Sequence, residues 1–267
     1  MSGANSLSPY IAGSSLIHAL DARVKVPLTL AFILTISFLP FGAWPAYVLL
    51  LALTVSAALL SEIGLARFFR RSLLAVPFVL AALPLLFTIP GSPLAQFNLF
   101  GLALTLSAEG LTRFASIAFK SWLSVQAAIV MAATTNLPEL LLALRALKLP
   151  RLLAAVIGLM WRYLFVLVDE AGRLIRAREA RSGSREGSPK GGGLAWRAGV
   201  AGGMAGSLML RSLERSDRVY TAMLARGYDG EVRSLPQPSL SRSAWGIIAA
   251  GLFLLALLLF ISLWMVA

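Results

Sequence analysis

Residues 177–183 read AREARSG and residues 222–228 read AMLARGY, so two long helix-like runs close on one pattern: small residue, Arg, small residue. Arg181 stands between Ala180 and Ser182, and Arg226 between Ala225 and Gly227. Both lie in the one long polar stretch of the chain, from about Leu152 to Tyr228. Everything before it, and the tail after it, reads as apolar helix. The expected fold is therefore all-α, a polytopic membrane protein with about five transmembrane helices and a cytoplasmic domain of polar helices. Its divisions are expected at 1–135 (four transmembrane helices), 136–242 (the region with the two arginine tips) and 243–267 (the last span).

A chain of 267 residues that is 58% hydrophobic and 13% charged is too apolar for a soluble domain of that size. With no Cys and one His, disulfides, thiolate sites and transition-metal cages have no ligands to draw on. No metal site and no cofactor are expected. His18, alone in the polar leader, reads as a surface or capping residue. The first twenty residues show neither the basic nor the apolar region of a cleaved signal, so the first span is expected to direct insertion. A net charge of +12 suggests nucleic acid in a soluble protein, but no basic–aromatic module is present, and membrane topology accounts for the charge instead.

The apolar runs are 24–41, 46–60, 73–89, 111–133 and 244–266. Each is near the ~17–25 residues that a tilted or straight span needs. Pro77 and Pro84, on nearly one face, predict a kinked third span. The 91–110 stretch has no Lys or Arg and reads as external. Near it Glu109 and Arg113 are spaced for an i,i+4 pair. Lys120 falls deeper; an ionisable group in a span is a functional candidate, and a snorkelling or pairing role is the equal alternative. With the amino terminus inside, all but Arg113 and Lys120 of the 24 Lys and Arg residues face the cytoplasm, which the positive-inside rule favours.

Within the polar region, Thr134-Thr135-Asn136 followed by Pro138 and Glu139 predicts a capped helix start and a short helix to Leu147. A second helix is expected from Arg151 to Arg181, about 45 Å long. Its first half is apolar apart from Arg162, and its second half carries Asp169, Glu170 and Arg173, with Asp169 and Arg173 spaced for a pair. If Leu152–Val168 spanned, Arg162 would cost about 2.5–3.5 kcal/mol at mid-bilayer and a cluster of basic residues would be exported. The helix is therefore expected against the cytoplasmic face. A Gly/Ser-rich linker, 182–193, leads to a third helix with overlapping GxxxG spacings at Gly199/Gly203 and Gly202/Gly206, which permit close helix approach. Glu214 and Arg218 are spaced for a pair there, and Gly227 suits a left-handed cap.

Arginine at one helix end is explained by the dipole, at about 0.3–1 kcal/mol. Its repetition on consecutive long helices points to a paired docking device, since the guanidinium is a planar five-donor fork. At these residues the chain resembles the transmembrane T component of energy-coupling factor (ECF) transporters, cobalt-type CbiQ subfamily. The likeness runs from Leu20-Asp21-Ala22-Arg23-Val24-Lys25 through Pro138-Glu139-Leu140, Leu149-Pro150-Arg151 and Arg162-Tyr163-Leu164-Phe165 to both tips. Ser182 replaces the usual glycine of the first tip, and a small residue is kept. The resemblance implies a non-catalytic scaffold that links two ABC-type ATPase subunits to a substrate-binding membrane (S) subunit. Arg181 and Arg226 would dock into the ATPases, and Ala180, Ser182, Ala225 and Gly227 would allow close approach. Arg162, Asp169, Glu170, Arg173, Glu214 and Arg218 would support the coupling helices. Cobalt is the implied cargo, with nickel or a biotin-type vitamin as the alternatives.

The chain has no GxxxxGK[ST] loop, so ATP is expected to bind on the partners. A stand-alone secondary transporter would need an inverted repeat and mid-membrane ion ligands, and an intramembrane enzyme would need a nucleophile–base or metal cluster. Neither pattern is read here.

Overall fold

A computed structural model describes residues 10–99, 102–181, 193–230 and 239–266. They form two compact units, one from 10–146 with 239–266 and one from 147–230. The first is built around α2 (Ala22–Phe38), which packs against α7 (Ala108–Thr134), α8 (Leu137–Ala146) and α11 (Arg242–Val266). The Asp21 carboxylate caps α2 by accepting from the Arg23 amide at 2.8 Å. Ahead of it, α1 (Leu16–Ala19) starts on Ser15, whose Oγ lies 2.6 Å from His18 Nδ1, while Nε2 of the same ring is 2.9 Å from the Ile11 carbonyl. The lone histidine thus closes the leader onto itself.

Phe32 and Ile36 of α2 meet Tyr47 and Leu50 of α3 (Trp44–Leu60), Leu123 of α7 and Leu255 of α11 in the main core. The Tyr47 hydroxyl donates to the Pro40 carbonyl at 2.8 Å, which fixes the turn between α2 and α3. Lys25 is only 7% exposed and donates to the Thr134 carbonyl at 2.9 Å, so this buried cation closes the last turn of α7. The Thr134 hydroxyl donates back to Val130 at 2.8 Å. It closes α7, which leaves Asn136, of the Thr and Asn candidates, at the start of α8, where its carbonyl accepts from the Leu140 amide.

The third apolar run is broken, as its prolines predict. After α4 (Leu65–Ser72), which carries the basic residues ahead of it, the run comprises a 3-10 turn at Leu73–Ala75, α5 (Val76–Ala82), with Pro77 in its first turn, and α6 (Leu85–Thr88), with Pro84 at its N-cap. The next stretch holds the one sheet among the described residues. Strands β1 (Pro93–Leu99) and β2 (Leu102–Ser107) pair antiparallel, with Phe97 opposite Leu104. The alternation Gln96-Phe97-Asn98-Leu99 carries the period-two signal, which the reading of 91–110 as external from its lack of basic residues did not use.

Glu109 is not paired with Arg113. Its Oε2 accepts from the Ser92 amide at 2.8 Å, and a Cβ on Gly91 would lie 1.7 Å from that oxygen, so only glycine leaves the carboxylate room. The Gly42 amide donates to Ser116 Oγ at 3.0 Å, which sets the α2–α3 turn level with the third turn of α7. One turn on, Lys120 donates to the carbonyls of Leu39 and Ser37, capping the carboxyl end of α2. Alpha-2 is short, about 25 Å, whereas α7 runs about 40 Å and extends past it to the hairpin.

Among the described residues four helical runs are long and apolar enough to cross a membrane: Ala66–Thr88, Ala108–Thr134, Arg151–Arg181 and Arg242–Met265, with Trp44–Leu60 a shorter apolar helix. The outside of α11 presents Phe253, Phe260 and Trp264, about 70% or more exposed, a surface that lipid favours and water does not. The chain is an all-α multi-pass membrane protein.

Candidate functional site

The second unit is a helix pair, α9 (Arg151–Arg181) and α10 (Leu194–Ala225). Leu159, Tyr163, Leu167 and Glu170 recur at helical spacing along one side of α9. Opposite the first three stand Ser212, Arg215, Val219 and Met223 of α10, and these residues wall a cavity of ≈ 360 Å³ together with Tyr228. Further along, Arg211 Nη1 donates to Glu170 Oε1 at 2.7 Å, and the Arg178 guanidinium lies 5.7 Å from the Trp196 ring centre. Contacts that climb α9 descend α10, so the helices run antiparallel. Arg181 and Arg226 therefore leave from opposite ends of the pair, about 40 Å apart at ~1.5 Å per residue.

The Arg226 tip is shaped by its cap. The Gly227 amide donates to the Leu224 carbonyl at 2.9 Å and the Tyr228 amide to Met223 at 3.0 Å, with Gly227 at φ +79°. This is a Schellman ending, and Tyr228 and Met223 supply its usual apolar contact at the cavity wall. Ala225, Arg226 and Gly227 are all exposed. At the other end Ala180 and Arg181 are exposed on the last turn of α9; Ser182 and the expected linker to residue 192 lie outside the described residues.

The supporting residues behave differently from one another. Arg173 binds Glu170, with its Nε 3.1 Å from Oε2, and not Asp169. Helical spacing allows either, but Glu170 lies on the stripe facing α10, where Arg211 holds its other oxygen, while Asp169 sits on the exposed side. Hydrogen bonds from Arg173 first, then Arg211, hold the Glu170 carboxyl below the usual carboxylate range. Among the described residues no ion pair joins Glu214 to Arg218; both line a cleft of ≈ 210 Å³ beside Glu170 and Arg211. Arg162 is exposed on α9. The interhelical Arg211–Glu170 bond was missed because its partners are far apart in the chain, and spacing within one helix carries no trace of it.

The glycine face of α10 is open. A Cβ built on Gly199, Gly202, Gly203 or Gly206 meets nothing within 4 Å, so the close approach these residues permit is not made by α9. Among the described residues no three His, Cys, Asp or Glu side chains gather as a metal site.

The chain thus combines a multi-pass helical bundle with a helix pair that carries an exposed arginine at each end. Residues 13–238 match the family described as "Cobalt transport protein", CbiQ, and the chain belongs to that family. It is 30% identical to the energy-coupling factor transporter transmembrane protein EcfT of Streptococcus equi, over 84% of this chain and 83% of the relative. It is 29% identical to the EcfT protein of Lactococcus lactis, over 83% of each. With the cobalt transport protein CbiQ of Rhodobacter capsulatus it shares 28% identity, over 63% of this chain and 66% of the relative.

Proposed function

We propose that the chain is the non-catalytic coupling subunit of an ECF-type importer of the cell inner membrane. Its amino terminus and the α9–α10 pair face the cytoplasm, as the placement of 22 of the 24 basic residues favours. Arg181 and Arg226 each dock into one of two ABC-type ATPase subunits, and ATP-driven motion passes through the pair to a substrate-binding membrane subunit. The open glycine face of α10 offers that subunit a surface of close approach. Cobalt (Co²⁺) is the cargo most in keeping with the family description and with the name of the Rhodobacter relative.

The single observation that carries this reading is the placement of two exposed arginine tips at opposite ends of one antiparallel pair. One rigid body thus offers two forks to two partners that stand well apart. A tagged copy, co-expressed with its neighbouring subunits, should retain two ATPase chains and one substrate-binding subunit through purification. A chain that purifies alone and transports cobalt in proteoliposomes without ATPases would overturn the proposal.

A further inference from the structure

The two basic residues left outside the cytoplasmic set converge on one ring. Arg113 Cζ lies 5.7 Å and Lys120 Nζ 4.7 Å from the centre of Phe41, which is itself half-exposed on the turn after α2. Beside Phe41 opens a groove of ≈ 470 Å³ between α2, α5 and α7. Its walls are Ile33, Ile36, Phe78 and Ile117, with Ser121 and Ser124 on the α7 side, and no carboxylate lines it. The acid nearest in sequence, Glu109, is held by the Ser92 amide. Lys120 has three donors and gives two to the carbonyls of Ser37 and Leu39, which leaves a third. Among the described residues the exposed Arg113 guanidinium meets no carboxylate.

Trp44 opens α3 beside this turn, and Trp is enriched at the headgroup level of membranes. From Lys120 the groove follows Ile36 and Ile33 back along α2 and Ser121 and Ser124 along α7, away from that turn. Two cations at the mouth and an apolar channel below match the order of groups in a phospholipid. We propose that this groove holds one anionic phospholipid, with its phosphate between Arg113 and Lys120 and an acyl chain along Ile33, Ile36 and Phe78. The proposal is independent of the ATPase-docking reading.

The full chain in neutral detergent, titrated with dioleoylphosphatidylglycerol or dioleoylphosphatidylcholine and read by native mass spectrometry, tests it. One phosphatidylglycerol should be retained in preference to phosphatidylcholine. Arg113→Gln, which leaves the Lys120 cap intact, should weaken retention about fivefold, the worth of one interfacial cation. Ser124→Phe should fill the groove and abolish retention with both cations in place. Equal retention of the two lipids, or no change in Arg113→Gln, would overturn the proposal. So would displacement of the lipid by soluble sn-glycerol 3-phosphate at matched concentration, which would mark a free-phosphate site. A photo-crosslinker at Ser121 that, in the assembled importer, captures a partner subunit in place of lipid would also count against it.

Discussion

Glu170 Oε1 accepts from Arg211 Nη1 at 2.7 Å across the α9–α10 interface, while the other oxygen of the same carboxylate binds Arg173 on its own helix. One acid thus ties the two arginine-tipped helices together near the middle of their contact. The side chain is 15% exposed although both arginines are largely exposed, so the carboxylate is the ordered centre of the group.

Replacing that acid should loosen the pair in a pH-dependent way. The Glu170 carboxyl is held below its ordinary value of about 4.3 by Arg173 and Arg211. Its contribution to stability is therefore fully present above that value and is lost as pH falls through the lower, folded-state value. Thermal unfolding between pH 6 and 3 should show the wild type losing stability over this window relative to Glu170→Gln. Parallel curves for the two proteins would show that the pairing adds nothing.

The tips should act in partner binding and not in folding. Arg181→Glu with Arg226→Glu should abolish retention of the ATPase chains and ATP-driven uptake, while the amount of chain in the membrane stays at the wild-type level. Each single reversal leaves one fork, so partial retention is expected. Uptake at the wild-type rate by the double variant would end the docking assignment.

Gly227 should matter for its backbone. At φ +79° a Cβ costs about 1–2 kcal/mol, and asparagine tolerates this region better than alanine. ATPase retention should therefore fall in the order Gly227, Gly227→Asn, Gly227→Ala, Gly227→Val. A valine variant that binds as well as the wild type would show that the Schellman ending does not set the aim of Arg226.

Lys25 should be a stability residue. Lys25→Met removes a buried charge-assisted bond to the Thr134 carbonyl, at a cost of roughly 1.5–3 kcal/mol. The variant should insert normally and unfold at lower denaturant in detergent micelles. An unchanged midpoint would mean that the end of α7 is held by other contacts.

The helices were legible in the sequence because long apolar runs and their terminators speak locally. The expected Arg151–Arg181 helix is α9 to the residue, and Gly227 marked the end of α10. What depends on a second element was not legible. Asp169 and Glu170 are equally placed for Arg173 by spacing alone, and only Arg211, from the next helix, decides between them. The bonds from Lys120 to the carboxyl end of α2 were equally hidden, since they cross from one helix to another more than 80 residues away in the chain. The hairpin at 93–107 had a local signal, two polar residues alternating with Phe97 and Leu99, but one too brief to outweigh the surrounding apolar helix.

The knot at Glu170 and Arg211 does not bisect the helix pair. From it to Arg181 is roughly 16 Å of helix, and to Arg226 roughly 22 Å. Turning of the pair about this knot therefore carries the Arg226 tip further than the Arg181 tip, as on a seesaw set off its midpoint. Spin labels beside each tip, followed through the nucleotide cycle of the assembled importer, would read equal displacements if that asymmetry were absent.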